Sequence, residues 1–265
     1  MLKRWITGVG LFSLGMLVIT VGDFWFWLWV LMVSLFCMFE LLQLSVKPLP
    51  FWMLVTGLGG VAIALSFALL PGLQNLWKSP YAMGMALLMI GMAVVELVFR
   101  RLWFQHHPFL SFLRSTLFIC FTCPYIYLVR ALPYGGYAMF FCLLAVTSSD
   151  AFALFGGRKF GKTPLSELSP NKTVEGSVIG FFGSLAVSVL YILFFGLPFW
   201  VYFLTAIAIG FLAQLGDLHE SLTKRFYHVK DSSDFLPGHG GFYDRADSYL
   251  LVAPFVYYVF LIFLH

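Results

Sequence analysis

The feature that most constrains this chain is a succession of apolar runs, each long enough to cross the hydrocarbon core of a bilayer as a helix, which takes about 17 to 25 residues. Nine can be marked, near residues 5–21, 24–44, 51–70, 82–98, 111–129, 137–155, 177–195, 199–216 and 248–264, separated by polar breaks. With 61% hydrophobic and only 11% charged residues, the chain has too little polar surface to face water on all sides. An all-α, polytopic integral membrane protein with about nine transmembrane helices is expected. The same composition excludes a disordered chain and a coiled coil, and sixteen Lys and Arg in 265 residues provide no dense basic surface for a nucleic acid.

The first run follows Lys3 and Arg4 in the manner of a secretory signal, but no small-residue cleavage site comes after it, so a retained first span is expected. Placing the N-terminus in the cytoplasm puts fourteen of the sixteen basic residues on that side, leaving only Lys78 and Arg130 outside. With nine crossings the C-terminus then lies outside. The four cysteines all sit within apolar runs, and the Cys120–Cys123 pair lacks the further ligands a zinc site needs, so they read as buried side chains. The Trp25, Trp27 and Trp29 group reads as an interfacial aromatic belt.

Nine of the twelve acidic residues fall between 148 and 248, most of them in the two long polar breaks on the cytoplasmic side. The chain therefore divides by chemistry into an N-terminal block, 1–136, with five spans of scaffold or lipid contact, and a C-terminal block, 137–265, with four spans and the site. If the eighth span stays helical past the membrane surface, Asp217, Glu220, Ser221 and Lys224 share one face at i, i+3, i+4 and i+7; Asp244, Asp247 and Ser248 repeat the pattern before the ninth. Clustered carboxylates without a Cys or His set suit Mg²⁺ better than zinc, and the adjacent Lys224, Arg225, Lys230 and Arg245 imply an anionic ligand. Between them, the segment Pro237 to Gly241 cannot continue a helix, and Gly240 and Gly241 would let a ligand approach the backbone N–H groups.

Upstream, Asp150 is an ionisable residue inside an apolar run, a functional candidate by default. Ser169-Pro170 reads as the cap and first turn of the helix leading into the seventh span, with Lys172 near its positive end. Arg158, Lys159 and Lys162 read as membrane anchors, His106 and His107 as interfacial, and His219 and His228 as ordinary loop residues. Asp244 or Asp247 would serve equally as a cap of the ninth span.

At this point the residues resemble a known family, the membrane-bound phosphatidate cytidylyltransferases. Its long signature is matched by Ser221, Lys224, Arg225, Lys230, Asp231, Ser233, Leu236, Pro237, His239, Gly240, Gly241, Phe242, Asp244, Arg245 and Asp247. Thr223 and Ala246 depart from it at positions that look like packing sites. The pieces Ser169-Pro-x-Lys172-Thr173-x-Glu175-Gly176 and Gly216-Asp217-Leu218 are similar as well. The resemblance covers about residues 150 to 248, while the earlier spans resemble the family in hydropathy alone.

The resemblance implies transfer of CMP from CTP to phosphatidic acid with Mg²⁺, giving CDP-diacylglycerol and pyrophosphate, in a bacterial cytoplasmic (inner) membrane. It implies Asp217 and Asp244 as the leading metal ligands, with Asp247, Asp150 and Asp231 as further candidates. Lys224, Arg225, Lys230, Arg245 and Lys172 are assigned to phosphates. Ser169 and Thr173 go to the nucleotide, with Glu175 in the same set, and His239 would protonate or orient a phosphate oxygen. A second cation and a homodimer stay open, and no nucleic-acid partner is expected. Two alternatives are another membrane lipid phosphate as acceptor and a multi-span anion transporter; against the second, the polar residues cluster at one membrane edge.

Overall fold

A computed structural model describes residues 2–100, 107–166, 169–236, 238 and 240–264, with the backbone alone for 2–7 and 170. In chain order the elements are α1 (Leu2–Val21), α2 (Asp23–Ser45), α3 (Phe51–Leu69), α4 (Pro71–Trp77), α5 (Pro80–Val98), α6 (Pro108–Thr122), α7 (Pro124–Ala131) and α8 (Gly135–Phe160). The strands β1 (Pro164–Ser166) and β2 (Ser169–Thr173) follow, then α9 (Val174–Phe195), α10 (Phe199–Phe226) and α11 (Tyr243–Phe263).

Among the described residues, eight helical segments are long and apolar enough to cross a membrane, with α6 and α7 forming one of them, Pro108–Ala131. Pro124 has no N–H to continue the helical ladder, which divides that span in two. The first apolar run forms α1, 20 residues long, whose described side chains make a shorter apolar stretch, Gly8–Val21. The expected nine crossings are thus an approximate count. The main departure from all-α is the antiparallel β1–β2 hairpin, paired Pro164 with Thr173 and Ser166 with Ser169.

That hairpin corrects the expected helix start at Ser169-Pro170. Ser169–Thr173 is strand, and Thr173 is the N-cap of α9, its Oγ1 accepting from the Gly176 N–H at 3.1 Å. At the base of the hairpin the Glu175 carboxylate accepts from the Lys162 and Thr163 N–H groups at 3.0 and 3.2 Å. The strands are held by this local closure, which an apolar alternation would not reveal.

The two blocks of the chain share their packing. α11 lies against α10 and also against α2, α5, α6 and α7, and α10 touches α5, α8 and α9. Leu251, Val252, Val256 and Tyr257 of α11 are fully buried. Tyr258 joins this helix to both α7 and α4, through the Tyr125 hydroxyl at 2.7 Å and the Trp77 carbonyl at 2.8 Å.

Candidate active site

α10 carries Asp217, Lys224 and Arg225 of the candidate residues. Its 28 residues extend about 42 Å at 1.5 Å per residue, more than a hydrocarbon core of about 30 Å. Its final turns carry Asp217, Glu220, Ser221, Lys224 and Arg225 to one cavity, as the helical spacing predicts. α11 starts beside them. Gly216 permits this approach, because a Cβ there would lie 2.7 Å from the Asp247 carbonyl oxygen and 2.9 Å from the Ser248 Cα. The Ser248 hydroxyl then donates to the Ala213 carbonyl at 3.1 Å, fixing the register of the two helices.

Three carboxylates meet at this crossing. Asp217, Glu220 and Asp247 each present an oxygen within 4.8 Å of the others. Lys172 of β2 pairs with Asp217, while Lys224 pairs with Glu220 one turn away and with Asp244 at 3.3 Å. Asp150, Ser169, Lys172, Thr173, Ser221, Lys224, Arg225, Lys230, Asp231, Asp244, Arg245 and Asp247 all face one cavity of about 1020 Å³, at the upper end of the range for ligand sites. Residues separated by almost a hundred positions are gathered as the sequence spacing and the signature require.

Some candidates occupy different posts from those expected. Asp244 accepts from the Ser232 N–H at 3.0 Å and the Gly241 N–H at 2.9 Å, so much of its capacity is spent in closing the loop before α11. Glu220, rather than Asp244, is the third member of the tight carboxylate group. Glu175 supports the hairpin instead of facing the cavity. Gly240, at φ +77°, makes the loop turn, and its carbonyl accepts from the Leu236 N–H at 2.9 Å. His239 lies outside the described residues.

Two site-building residues were missed. Glu40 of α2 is 0% exposed and accepts four hydrogen bonds from the signature loop and the start of α11. They come from the Ser232 hydroxyl at 2.8 Å, the Ser233 hydroxyl at 2.6 Å, the Phe242 N–H at 3.0 Å and the Tyr243 N–H at 2.8 Å. The N–H groups of Gly241, Phe242 and Tyr243 thus go to protein carboxylates, not to the ligand cradle expected of a glycine-rich loop. A side chain at Gly241 would collide with Glu40 and Ser232, which explains the small residue.

Glu96 of α5, also 0% exposed, holds Arg114 of α6 through Nε at 2.6 Å and Nη2 at 2.5 Å, and its Oε2 lies 2.8 Å from His219 Nε2. His219 is therefore a buried residue of α10 between two members of the carboxylate group, which corrects its reading as a loop residue. The signal for both glutamates was present: each is an ionisable residue inside an apolar run, the criterion that singled out Asp150.

The model of the cytidylyltransferase family matches residues 2–263. A phosphatidate cytidylyltransferase of Bacillus subtilis is 33% identical over 99% of this chain and 98% of its own length. One of Synechocystis is 44% identical over 48% of this chain and 44% of its own, and phosphatidate cytidylyltransferase 4, chloroplastic, of Arabidopsis thaliana is 41% identical over 42% and 29%. With a match along nearly its whole length and signature residues gathered around one cavity, the chain belongs to the cytidylyltransferase family, among relatives that are phosphatidate cytidylyltransferases.

Proposed function

We propose that this enzyme transfers CMP from CTP to phosphatidate at the cytoplasmic face of a bacterial cytoplasmic membrane, releasing pyrophosphate and forming CDP-diacylglycerol. The observation that carries this reading is the Asp217–Glu220–Asp247 group beside Lys172 and Lys224, at the edge of a membrane-embedded cavity. The N-terminus then lies inside and the C-terminus outside, an orientation supported by the distribution of basic residues.

Three carboxylates at this separation repel one another unless a cation lies among them. An all-oxygen donor set fits a hard divalent ion such as Mg²⁺, which Asp217, Glu220 and Asp247 would hold. The chemistry supplied by such an ion is positive charge against the triphosphate and the departing pyrophosphate.

The remaining work falls to side chains of the chain itself. Lys172 and Lys224, already paired to carboxylates at the group, and Arg225, Lys230 and Arg245 around the same cavity, give two anionic substrates a common positive wall. The phosphatidate phosphate, with a second pKa of about 6 like other phosphomonoesters, is largely dianionic near neutral pH and needs no dedicated base. One of its oxygens bonds to the α-phosphorus of CTP as the bond from that phosphorus to the bridging oxygen breaks. The electron pair leaves on pyrophosphate. The protein's contribution is to hold the two anions in line against their repulsion, an effect of position and preorganised charge.

Purified protein in detergent micelles, given phosphatidate, Mg²⁺ and CTP labelled in the α-phosphate, is expected to yield a labelled lipid and pyrophosphate and to lose both on addition of EDTA. Failure of folded protein to label phosphatidate would overturn the reading, and a panel of other lipid phosphates would then identify the acceptor.

A further inference from the structure

Arg158 reads from the sequence as a membrane anchor, yet it stands in the last turn of α8 as part of the cavity wall, together with Ser169, Asn171 and Lys172 of the hairpin. Gly157 and Gly161 let that turn lie against the hairpin, since a Cβ at either would come within 3.1 or 2.7 Å of Thr173 Oγ1. The next residue, Lys159, is turned elsewhere, with Nζ 5.3 Å from the centre of the Phe160 ring. Among the described residues the cavity is lined by six carboxylates and six basic side chains, so its wall holds no surplus of positive charge for a triphosphate. Lys172 and Lys224 are already paired, to Asp217, Glu220 and Asp244. Arg158 has no carboxylate partner among the described residues, which leaves its charge available to a ligand.

Its place along the cavity says which part of a ligand it meets. On α8, Met139, Leu143 and Val146 line an apolar stretch, Asp150 follows among the charged residues, and Arg158 comes about 12 Å farther along the axis at 1.5 Å per residue. Helical side chains lean back toward the N-terminus, which brings the guanidinium nearer to the carboxylates than its Cα. In an in-line displacement the entering and departing oxygens lie on opposite sides of the phosphorus. A phosphate tied to membrane lipid chains enters from the Val146 side, so pyrophosphate departs toward Arg158.

We infer that Arg158 is a further substrate-binding residue, its guanidinium holding the β- and γ-phosphates of CTP, the part that leaves as pyrophosphate. This rests on the cytidylyl-transfer reading above and assigns a residue to its leaving group. The planar fork of a guanidinium matches two phosphate oxygens at once, and the charge that grows on the departing pyrophosphate meets a cation that no carboxylate of the protein has neutralised. As an anchor at a helix C-terminus alone, Arg158 would matter no more than Lys159 beside it.

The test measures binding of CTP, CMP and inorganic pyrophosphate, each with Mg²⁺ and without a lipid acceptor, by calorimetry on the purified full chain in detergent. Native protein is compared with Arg158→Ala, Arg158→Lys and Lys159→Ala, with Tm as the check on folding. Arg158→Ala is expected to bind CTP and pyrophosphate about tenfold more weakly, as for loss of a hydrogen bond to a charged group, and to bind CMP as the native protein does. Arg158→Lys should recover part of the loss, because an ammonium keeps the charge without the fork. Lys159→Ala should match the native protein throughout. Native pyrophosphate affinity in folded Arg158→Ala, equal weakening of CMP and CTP, or the same losses in Lys159→Ala would overturn the inference, even where transfer to phosphatidate proceeds. Pyrophosphate binding that the native chain shows and Arg158→Ala loses supports it, even if phosphatidate proves to be the wrong acceptor.

Discussion

Two neighbouring sets of carboxylates have opposite surroundings. Glu40 and Glu96, from the N-terminal helices, are wholly enclosed, and their oxygens are met by donors: two hydroxyls and two N–H groups for Glu40, Arg114 and His219 for Glu96. Asp217, Glu220 and Asp247 are crowded against one another, with lysines on one side and a large cavity on the other. The first set has its charge compensated within the fold and acts as a clamp. The second leaves charge to be compensated by whatever enters. A buried acidic residue in a membrane protein is thus not by itself a mark of chemistry; the completeness of its partners distinguishes frame from site.

The sharpest way to break that distinction is to neutralise one member of the crowded set. Asp217→Asn or Asp247→Asn should lower kcat by about a thousandfold or more, by analogy with loss of a preorganised electrostatic group, without lowering Tm. Near-native turnover in either purified variant would remove that residue from the site. Removal of a clamp should do the reverse. Glu96→Ala strands the buried Arg114 and should cost about 3–5 kcal/mol of stability, seen as a lower Tm in detergent.

Glu40→Gln tests the boundary between the two classes, since Glu40 holds both the loop before α11 and the first turn of that helix, which carries Asp244 and Asp247. An amide keeps one acceptor oxygen and loses the charge, so the loop should loosen: kcat is expected to fall about tenfold, with a stability loss of about 1–3 kcal/mol. A KM effect alone, with kcat intact, would contradict a positioning role. Least affected should be Thr173→Ala, which removes the α9 cap for about 1 kcal/mol, with Thr173→Ser restoring the native Tm.

Much of this was legible in the order of residues. The apolar runs locate the long helices, while α10 continues past the run that ends near 216 to Phe226, and this extension puts Asp217, Glu220 and Lys224, spaced i, i+3, i+7, on one face. The hairpin was not legible, because its strands of 3 and 5 residues carry no apolar alternation and depend on Glu175 and Thr173 for closure. Nor were the partners of the clamps: Glu40 and Glu96 stand out as ionisable residues inside apolar runs, but Glu40 bonds Ser232 across 192 positions and Glu96 meets His219 across 123, and local spacing carries no trace of such pairings. For the same reason the division at residue 136 marks a change in chemistry while the helices on either side pack together.

The most direct test of the central claim is formation of labelled lipid from α-labelled CTP and phosphatidate, with and without Mg²⁺, by the native chain and by Asp247→Asn at matched Tm. Metal-dependent product from the native chain and none from the variant is the predicted result. Equal product from the two proteins, or product that persists in EDTA, would contradict the assignment of the crowded carboxylates to the chemistry.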